Sequence, residues 1–376
     1  MIETAIYIHI PFCDHKCIYC DFYSITPLDK KDDYLKALKK EIEFYSRSYS
    51  EEREIISIYF GGGTPSLMEP AYISEIIECV KSHFNVNPDA EITLETNPGT
   101  VNKSKMNEFK GIGINRVSVG IQSFNNAELK FLTRIHDASA AEKTIFYAYD
   151  AGIENINADL IFNLPGQNIE KWSRSLERAI SLPVKHISAY SLILEPGTIL
   201  NKMVLDGRVK VEGEDTDAEL YEHTIELLAR HGFEQYEVSN FALNGYECRH
   251  NNAYWHYKNY LGFGTSAHSF NGTKRWWNYT GLSFYLNNAL TGGNAVAGSE
   301  TLTAEQKREE YIMLALRSRG LIIQEFISIF GGDWFEQNSS LIDELKQTGL
   351  LTEAGGVVKL TPKGYVICDE ILARLA

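Results

Sequence analysis

An α/β fold built on a parallel sheet is the class this sequence predicts, and two observations predict it. From residue 5 to about 192, strand-like and helix-like segments alternate in six successive units. The most distinctive polar and sulfur-bearing groups stand where those strands end, which is where α/β folds place function. Repeated β-then-α units imply parallel strands joined by right-handed crossovers. An open doubly wound sheet and a barrel both satisfy that pattern.

The expected strands are 5–10, 55–60, 91–96, 116–120, 156–162 and 186–192. Helical patterns lie between them at 32–46, 70–84, 104–110, 138–151 and 169–182. Pro70 suits a first helical position, and Gly111 and Gly152 sit where helices commonly stop. Past residue 192 the repeat dissolves. Residues 215–230 have the apolar spacing of an amphipathic helix, with Asp215 or Thr216 as its N-cap. An aromatic-rich region follows, and its Gly262-x-Gly264-x-x-Ala267 is no dinucleotide fingerprint, because no βαβ context precedes it. The tail has helical patterns at 304–318 and 338–348, a hairpin at 355–362 and a last helix running to Ala376. That order resembles a winged helix, read here as a packing or interaction module. The expected division is therefore 1–232, 233–300 and 301–376.

At 376 residues the chain is too long for one ordinary domain but fits a barrel plus an appendage. A net charge of −14 argues against a general nucleic-acid binder, since phosphate contact needs clustered Lys and Arg. The opening Met1-Ile2-Glu3-Thr4 lacks the basic region of a secretory signal. No apolar stretch reaches the roughly 18 residues of a membrane-spanning helix. Three of the six cysteines crowd into one loop, so a disulfide framework is not expected and a reducing cytoplasm is. Cys79 and Cys368 fall in apolar helical patterns and read as core residues.

That loop, Cys13-Asp14-His15-Lys16-Cys17-Ile18-Tyr19-Cys20, directly follows the first strand. Three thiols spaced C-x3-C-x2-C can surround one metal centre but supply only three ligands, leaving one metal ion open to something else. The bland alternatives are a zinc site completed by His15, or thiols that bind nothing. The second strand ends in Gly61-Gly62-Gly63-Thr64-Pro65-Ser66, where glycines allow a backbone to approach a ligand closely. A tight turn into the Pro70 helix would explain the same residues. Glu95, Gln122 and Asp159 stand at the ends of the third, fourth and fifth strands, and Arg134 lies in the long fourth loop. Taken singly, each reads as a cap, a surface hydrogen bond or an ion pair; their shared placement points to one pocket.

Taken together these motifs resemble the branch of the radical S-adenosylmethionine (SAM) superfamily that contains oxygen-independent coproporphyrinogen III oxidase and the HemW-type heme chaperones. The resemblance runs from Tyr7-Ile8-His9-Ile10-Pro11-Phe12-Cys13 to the tail. It includes the glycine run, Asp159-Leu160-Ile161-Phe162-Asn163-Leu164-Pro165-Gly166-Gln167, and His250-Asn251-Asn252-Ala253-Tyr254-Trp255. It implies a partial six-unit β/α barrel (TIM-like, open on one side) with a smaller mixed α/β C-terminal domain. It implies that Cys13, Cys17 and Cys20 hold a [4Fe–4S] cluster whose fourth iron SAM chelates, with Tyr7 and Tyr19 bordering both. Gly62, Gly63 and Thr64 would meet the methionine moiety, Glu95 would contact SAM, Arg134 would pair with its carboxylate, and Gln122 and Asp159 would hold the ribose hydroxyls. An electron from the cluster, supplied by a donor such as flavodoxin or ferredoxin, would cleave SAM to a hydrogen-abstracting radical.

The two kinds of member differ at points this sequence displays. The oxidases carry a further cysteine two positions after the third, where this chain has Phe22, and a longer N-terminal extension than the six residues before Tyr7. The chaperones carry the heme-associated motif, here with His250 as an axial ligand and Tyr254 and Trp255 as flat apolar faces. A hydrogen-bonded histidine in an aromatic core is the competing reading of His250. The resemblance therefore implies a cytoplasmic heme chaperone that delivers heme to respiratory membrane proteins, and it leaves open a peripheral membrane contact through exposed aromatics. The alternatives are an oxidase that converts two propionates to vinyl groups, and a radical SAM enzyme acting on another substrate such as tRNA.

Overall fold

The computed structural model of the chain describes residues 1–375. Six strands, β1 (Ile2–Ile10), β2 (Arg53–Gly62), β3 (Val86–Thr96), β4 (Arg116–Gln122), β5 (Asn155–Phe162) and β6 (His186–Ser191), lie parallel and side by side in chain order. Helices Lys31–Tyr49, Pro70–His83, Lys103–Gly111, Ala138–Asp150 and Ile169–Ile180 return the chain between them. Pro70 does occupy the first turn of its helix, where its missing N–H costs nothing.

The sheet does not close on itself. Past β6 it continues through the antiparallel β7 (Glu234–Gln235) and β8 (Asn240–Ala242), with β8 next to β6. On its other side β1 pairs in parallel with β9 (Asn259–Phe263), and antiparallel β10 (His268–Phe270), β11 (Lys274–Asn278) and β12 (Val296–Thr301) follow. Residues 233–300, expected as a connecting region, thus lengthen the main sheet at both ends. Their strands run from two to six residues, too short for periodicity to announce them.

Within β1–β6 the side chains alternate. Ile6, Ile8, Ile58, Phe60, Ile92, Leu94, Val117, Val119, Ala158 and Ile187 face the helices and join one apolar core. Residues one position away make rows across the other face: register sets Glu95 beside Ser118, Ser118 beside Asn157 and Asn157 beside His186. Directly paired residues share a face, so the inner face is polar from strand to strand. A fully buried parallel sheet would instead read as continuous apolar runs.

Glu41 pins the β9–β12 segment to the first helix. Its carboxylate accepts from Gly264 N at 2.9 Å, from the Tyr285 hydroxyl at 2.6 Å and from Asn278 Nδ2 at 2.5 Å. All these groups are buried, and the three donors offset the cost of removing a carboxyl from water.

The helix expected at 215–230 spans Glu214–Arg230 and starts from Gly213 without a side-chain cap. Asp215 and Asp217 instead sit in its first turn, favourable to the helix dipole, and Asp217 accepts a 2.5 Å bond from the Ser191 hydroxyl. The tail forms a second apolar core around helices Ala304–Leu316, Ile323–Phe330 and Asp333–Gln347. Against them lies a small antiparallel sheet in which β15 (Val357–Leu360) runs between β13 (Leu321–Ile322) and β14 (Leu351–Ala354). The last helix is Cys368–Leu375, and the expected end at Ala376 lies outside the described residues. Among the described residues no helix is long and apolar enough to cross a membrane.

Candidate cofactor site

A cavity of ≈ 550 Å³ opens at the carboxyl ends of the parallel strands, within the range of small-molecule sites, about 300–1,000 Å³. Cys13, Cys17 and Cys20 line it, together with Tyr19, Gly62, Gly63, Thr64, Glu95, Gln122, Arg134 and Asp159. Ten of the SAM and cluster residues expected from the sequence come from six different segments, and the fold gathers them with Tyr19 around one space. Tyr7 does not join them. It lies behind the lining, with its hydroxyl 3.1 Å from His9 Nδ1 and its ring stacked on Tyr59 at 6.2 Å.

The cysteine loop is held at both ends. Cys13 N donates to Ile25 O at 2.9 Å, Gly63 N to Ile10 O at 2.8 Å, and Thr64 N to Phe12 O at 2.8 Å. A side chain on Gly63 would meet Phe12 O at 2.8 Å, so glycine there lets the second strand end lie directly on the loop. Cys13 Sγ is 3.4 Å from the Thr64 hydroxyl. Burial raises the Cys13 thiol and pushes Cys20 up to about 11, so neither is a thiolate at neutral pH without a compensating cation. Iron supplies such a charge. Among the described residues no three His, Cys, Asp or Glu side chains gather closely enough for a single metal ion. A cluster makes a different demand, one thiolate on each of three irons, and three thiols around a common cavity suit it.

Arg134 reaches this loop from the far side. Its Nη1 donates to Cys17 Sγ at 3.7 Å and to the Tyr19 hydroxyl at 3.4 Å, while Nη2 donates to Gly120 O at 2.7 Å and to Asn97 Oδ1. Its Nε is buried without a partner, an orphaned donor in the site. At the end of β4 the register slips between Gly120 and Gln122, and Gln122 takes a φ of +70°. A bulge of this kind re-aims one side chain, and Gln122 is thereby brought to the cavity wall.

The two carboxyl groups are buried in hydrogen-bonded frames. Glu95 accepts from the Tyr59 hydroxyl at 2.9 Å and from Gly62 N at 3.1 Å. Burial, and then the negative charge of Asp159, raises it to about 7. Asp159 accepts from the Ser118 hydroxyl at 2.9 Å and from Asn157 Nδ2 at 2.7 Å, and burial raises it as well. The pair is thus a receptor for a cation or for hydroxyl groups. Tyr59, Ser118, Asn157 and Asn97 were not singled out from the sequence. The period-2 alternation of their strands puts the first three on the face of Glu95 and Asp159, and that signal would have found them.

His250 lies elsewhere. It is 1% exposed, with Nδ1 3.0 Å from the Ser57 hydroxyl and Nε2 3.0 Å from the Tyr254 hydroxyl, and its ring stacks on Tyr59 at 4.8 Å. Burial, then the Arg116 charge, lowers it to about 3, so it is neutral. Both ring nitrogens are occupied, and neither His250, Tyr254 nor Trp255 lines the cavity. In this conformation the motif presents no open axial ligand, contrary to that expectation, because the short helix Arg249–Trp255 packs it against β1, β2 and β9. Cys248 is a buried thiol whose Sγ lies 3.4 Å from Glu91.

Residues 7–179 match the model of the radical SAM superfamily, and residues 302–367 that of the HemN C-terminal domain. The chain is 32% identical over 369 residues to a protein of Bacillus subtilis named heme chaperone HemW, covering 97% of each. The chain belongs to the HemW family of radical SAM proteins. Its similarity to heme chaperone HemW of Escherichia coli is 37% over 268 residues, covering 70% of this chain and 69% of that one. A mitochondrial protein of Danio rerio named for its radical S-adenosyl methionine domain is 33% identical, covering 100% of this chain and 87% of that one. Among solved structures, coproporphyrinogen III oxidase (HemN) of Escherichia coli superposes with a TM-score of 0.85 at 23% identity, over 100% of this chain and 90% of that one. At that identity the likeness concerns the fold. Membership of the radical SAM superfamily implies a [4Fe–4S] cluster and SAM as the family's cofactors.

Proposed function

We propose that this chain is a heme chaperone on a radical SAM scaffold, which binds heme in the cytoplasm and passes it to respiratory membrane proteins. The observation that carries the reading is the end-to-end similarity to proteins named as heme chaperones. Phe22 supports it: 63% exposed at the cavity mouth, it stands where the oxidases carry a further cysteine.

Cys13, Cys17 and Cys20 hold the cluster, and Thr64 and Arg134 lie against Cys13 and Cys17. Gly62, Gly63 and Thr64 present backbone to the methionine moiety of SAM. Glu95 accepts from its amino group, Arg134 pairs with its carboxylate, and Gln122 and Asp159 hold its ribose hydroxyls, with Tyr19 beside the cluster. Cluster and SAM together supply one-electron chemistry that yields a hydrogen-abstracting radical. A ferredoxin- or flavodoxin-like donor supplies the electron. The residues themselves orient SAM and keep water from it.

Glu95 makes SAM affinity depend on pH. A carboxyl raised to about 7 is largely protonated at pH 6 and must lose its proton to act as a full acceptor for that amino group. Burial and the Asp159 charge set that raised value, and the hydrogen bonds from Tyr59 and Gly62, and then the Arg116 charge, oppose it. SAM binding to cluster-loaded protein is expected to tighten by about tenfold from pH 6 to 8, and calorimetry of Glu95→Gln should show that slope flattened.

The function itself is tested by titrating cluster-reconstituted protein with heme under anaerobic conditions, while assaying the same preparation for vinyl formation from coproporphyrinogen III. Saturable heme binding without vinyl formation supports the chaperone. Vinyl formation without tight heme binding would make the chain an oxidase.

A further inference from the structure

The mouth of the cavity carries groups that cluster and SAM do not use. His15 is exposed on the cysteine loop and is the one imidazole among the cavity-lining residues, where Lys16, Phe22 and Ile193 join it. Phe22 is 63% exposed and Ile193 66%. Farther along the chain after β6, on the short helix Ile199–Leu205, Ile199 and Leu205 are exposed too. Large apolar side chains held in water beside a polar cavity mark a surface that something covers. The β6 loop is fixed against the cysteine loop by Leu200 N, which donates to Ile18 O at 2.9 Å. The two apolar sides of the mouth therefore keep their relation to each other.

We propose that an iron porphyrin docks across this mouth, with His15 as axial ligand, Phe22 and Ile193 against the macrocycle, and Lys16 opposite a propionate. The proposal rests on the heme-binding reading above and names the site. Three chemistries converge there: a nitrogen donor for iron, apolar surface for a flat ring, and a cation for its carboxylate. His9, His136, His186 and His250 are buried, and His83, His223, His231, His256 and His268 do not line the cavity, so none offers iron there what His15 offers. The macrocycle would then lie over the opening to the SAM site and slow the exchange of SAM.

The test titrates heme into full-length, cluster-reconstituted protein with SAM bound, following the Soret band and the release of labelled SAM. Wild type should saturate and release SAM more slowly once loaded. His15→Ala should shift the Soret band and weaken binding by at least about tenfold. Ile193→Asp, distant in sequence from the cysteines, should weaken binding while iron and sulfide content stay at the wild-type level, which keeps the test open if His15→Ala fails to take up its cluster. Equal heme affinity and an unshifted Soret band in both variants would overturn this site and leave the chaperone reading standing. No saturable binding in wild type would overturn both.

Discussion

Cys17→Ala is expected to yield a folded chain that holds no iron–sulfur cluster after anaerobic reconstitution and binds no SAM through it. Cys17 is only partly buried and contributes nothing to either apolar core, so its thiol can go without opening a cavity. Among the described residues the thiol's hydrogen-bonding neighbour is Arg134 Nη1 at 3.7 Å, and that arginine keeps its bonds to Asn97 and Gly120 through Nη2. Melting temperature should therefore stay within a few degrees of wild type, since surface-type changes shift stability by only about 0.5 kcal/mol. Iron, sulfide and visible absorbance should fall to background. The three thiols have no fourth to replace them, because Cys79, Cys248 and Cys368 are buried in other places. A variant that retained a full complement of iron would mean that another group, such as His15, ligates, and the assignment of the three cysteines would fall.

His250→Ala should behave in the opposite way, destabilising the chain with heme affinity unchanged. The substitution empties a buried site and leaves the Ser57 and Tyr254 hydroxyls without partners. Together these effects cost on the order of 2–4 kcal/mol. The damage should reach SAM as well. Tyr59 stacks on His250 and holds Glu95 through a 2.9 Å hydrogen bond, so loosening the imidazole frees the carboxyl that faces the cavity. His250→Phe separates the two contributions, because it keeps a ring against Tyr59 but no hydrogen bonds. We expect it to recover SAM affinity more fully than denaturant stability. Should His250→Phe instead abolish heme binding at unchanged stability, the motif supplies the iron ligand after all and the mouth site is wrong.

These contrasts mark how far the sequence could be read. The six βα units, the loop thiols and the glycine run were all legible, because each is a local pattern: a period, a spacing, a turn. The convergence of Glu95, Gln122 and Asp159 followed from one rule about strand ends, and the resemblance added Arg134 from the fourth loop. Their supports were less visible. Asn97 meets Arg134 across 37 positions and Ser118 meets Asp159 across 41; the packing of a long loop on a strand end makes the first contact, and strand register the second. Tyr7, placed in the lining by resemblance, sits one layer below it, since its ring packs on Tyr59 behind Gly61.

By itself the sequence determined the parallel α/β scaffold and the three-thiol loop at its first strand end, because hydrophobic period and residue spacing act over a few residues. Tertiary structure alone decided that residues 233–300 complete the sheet, that His250 is sealed between Ser57 and Tyr254, and that His15 and Phe22 share a mouth with Ile193. Those outcomes depend on contacts between segments far apart in the chain, such as Ser57 with His250 across 193 positions, whose formation is set by the packing of the whole sheet and not by any local preference of the chain.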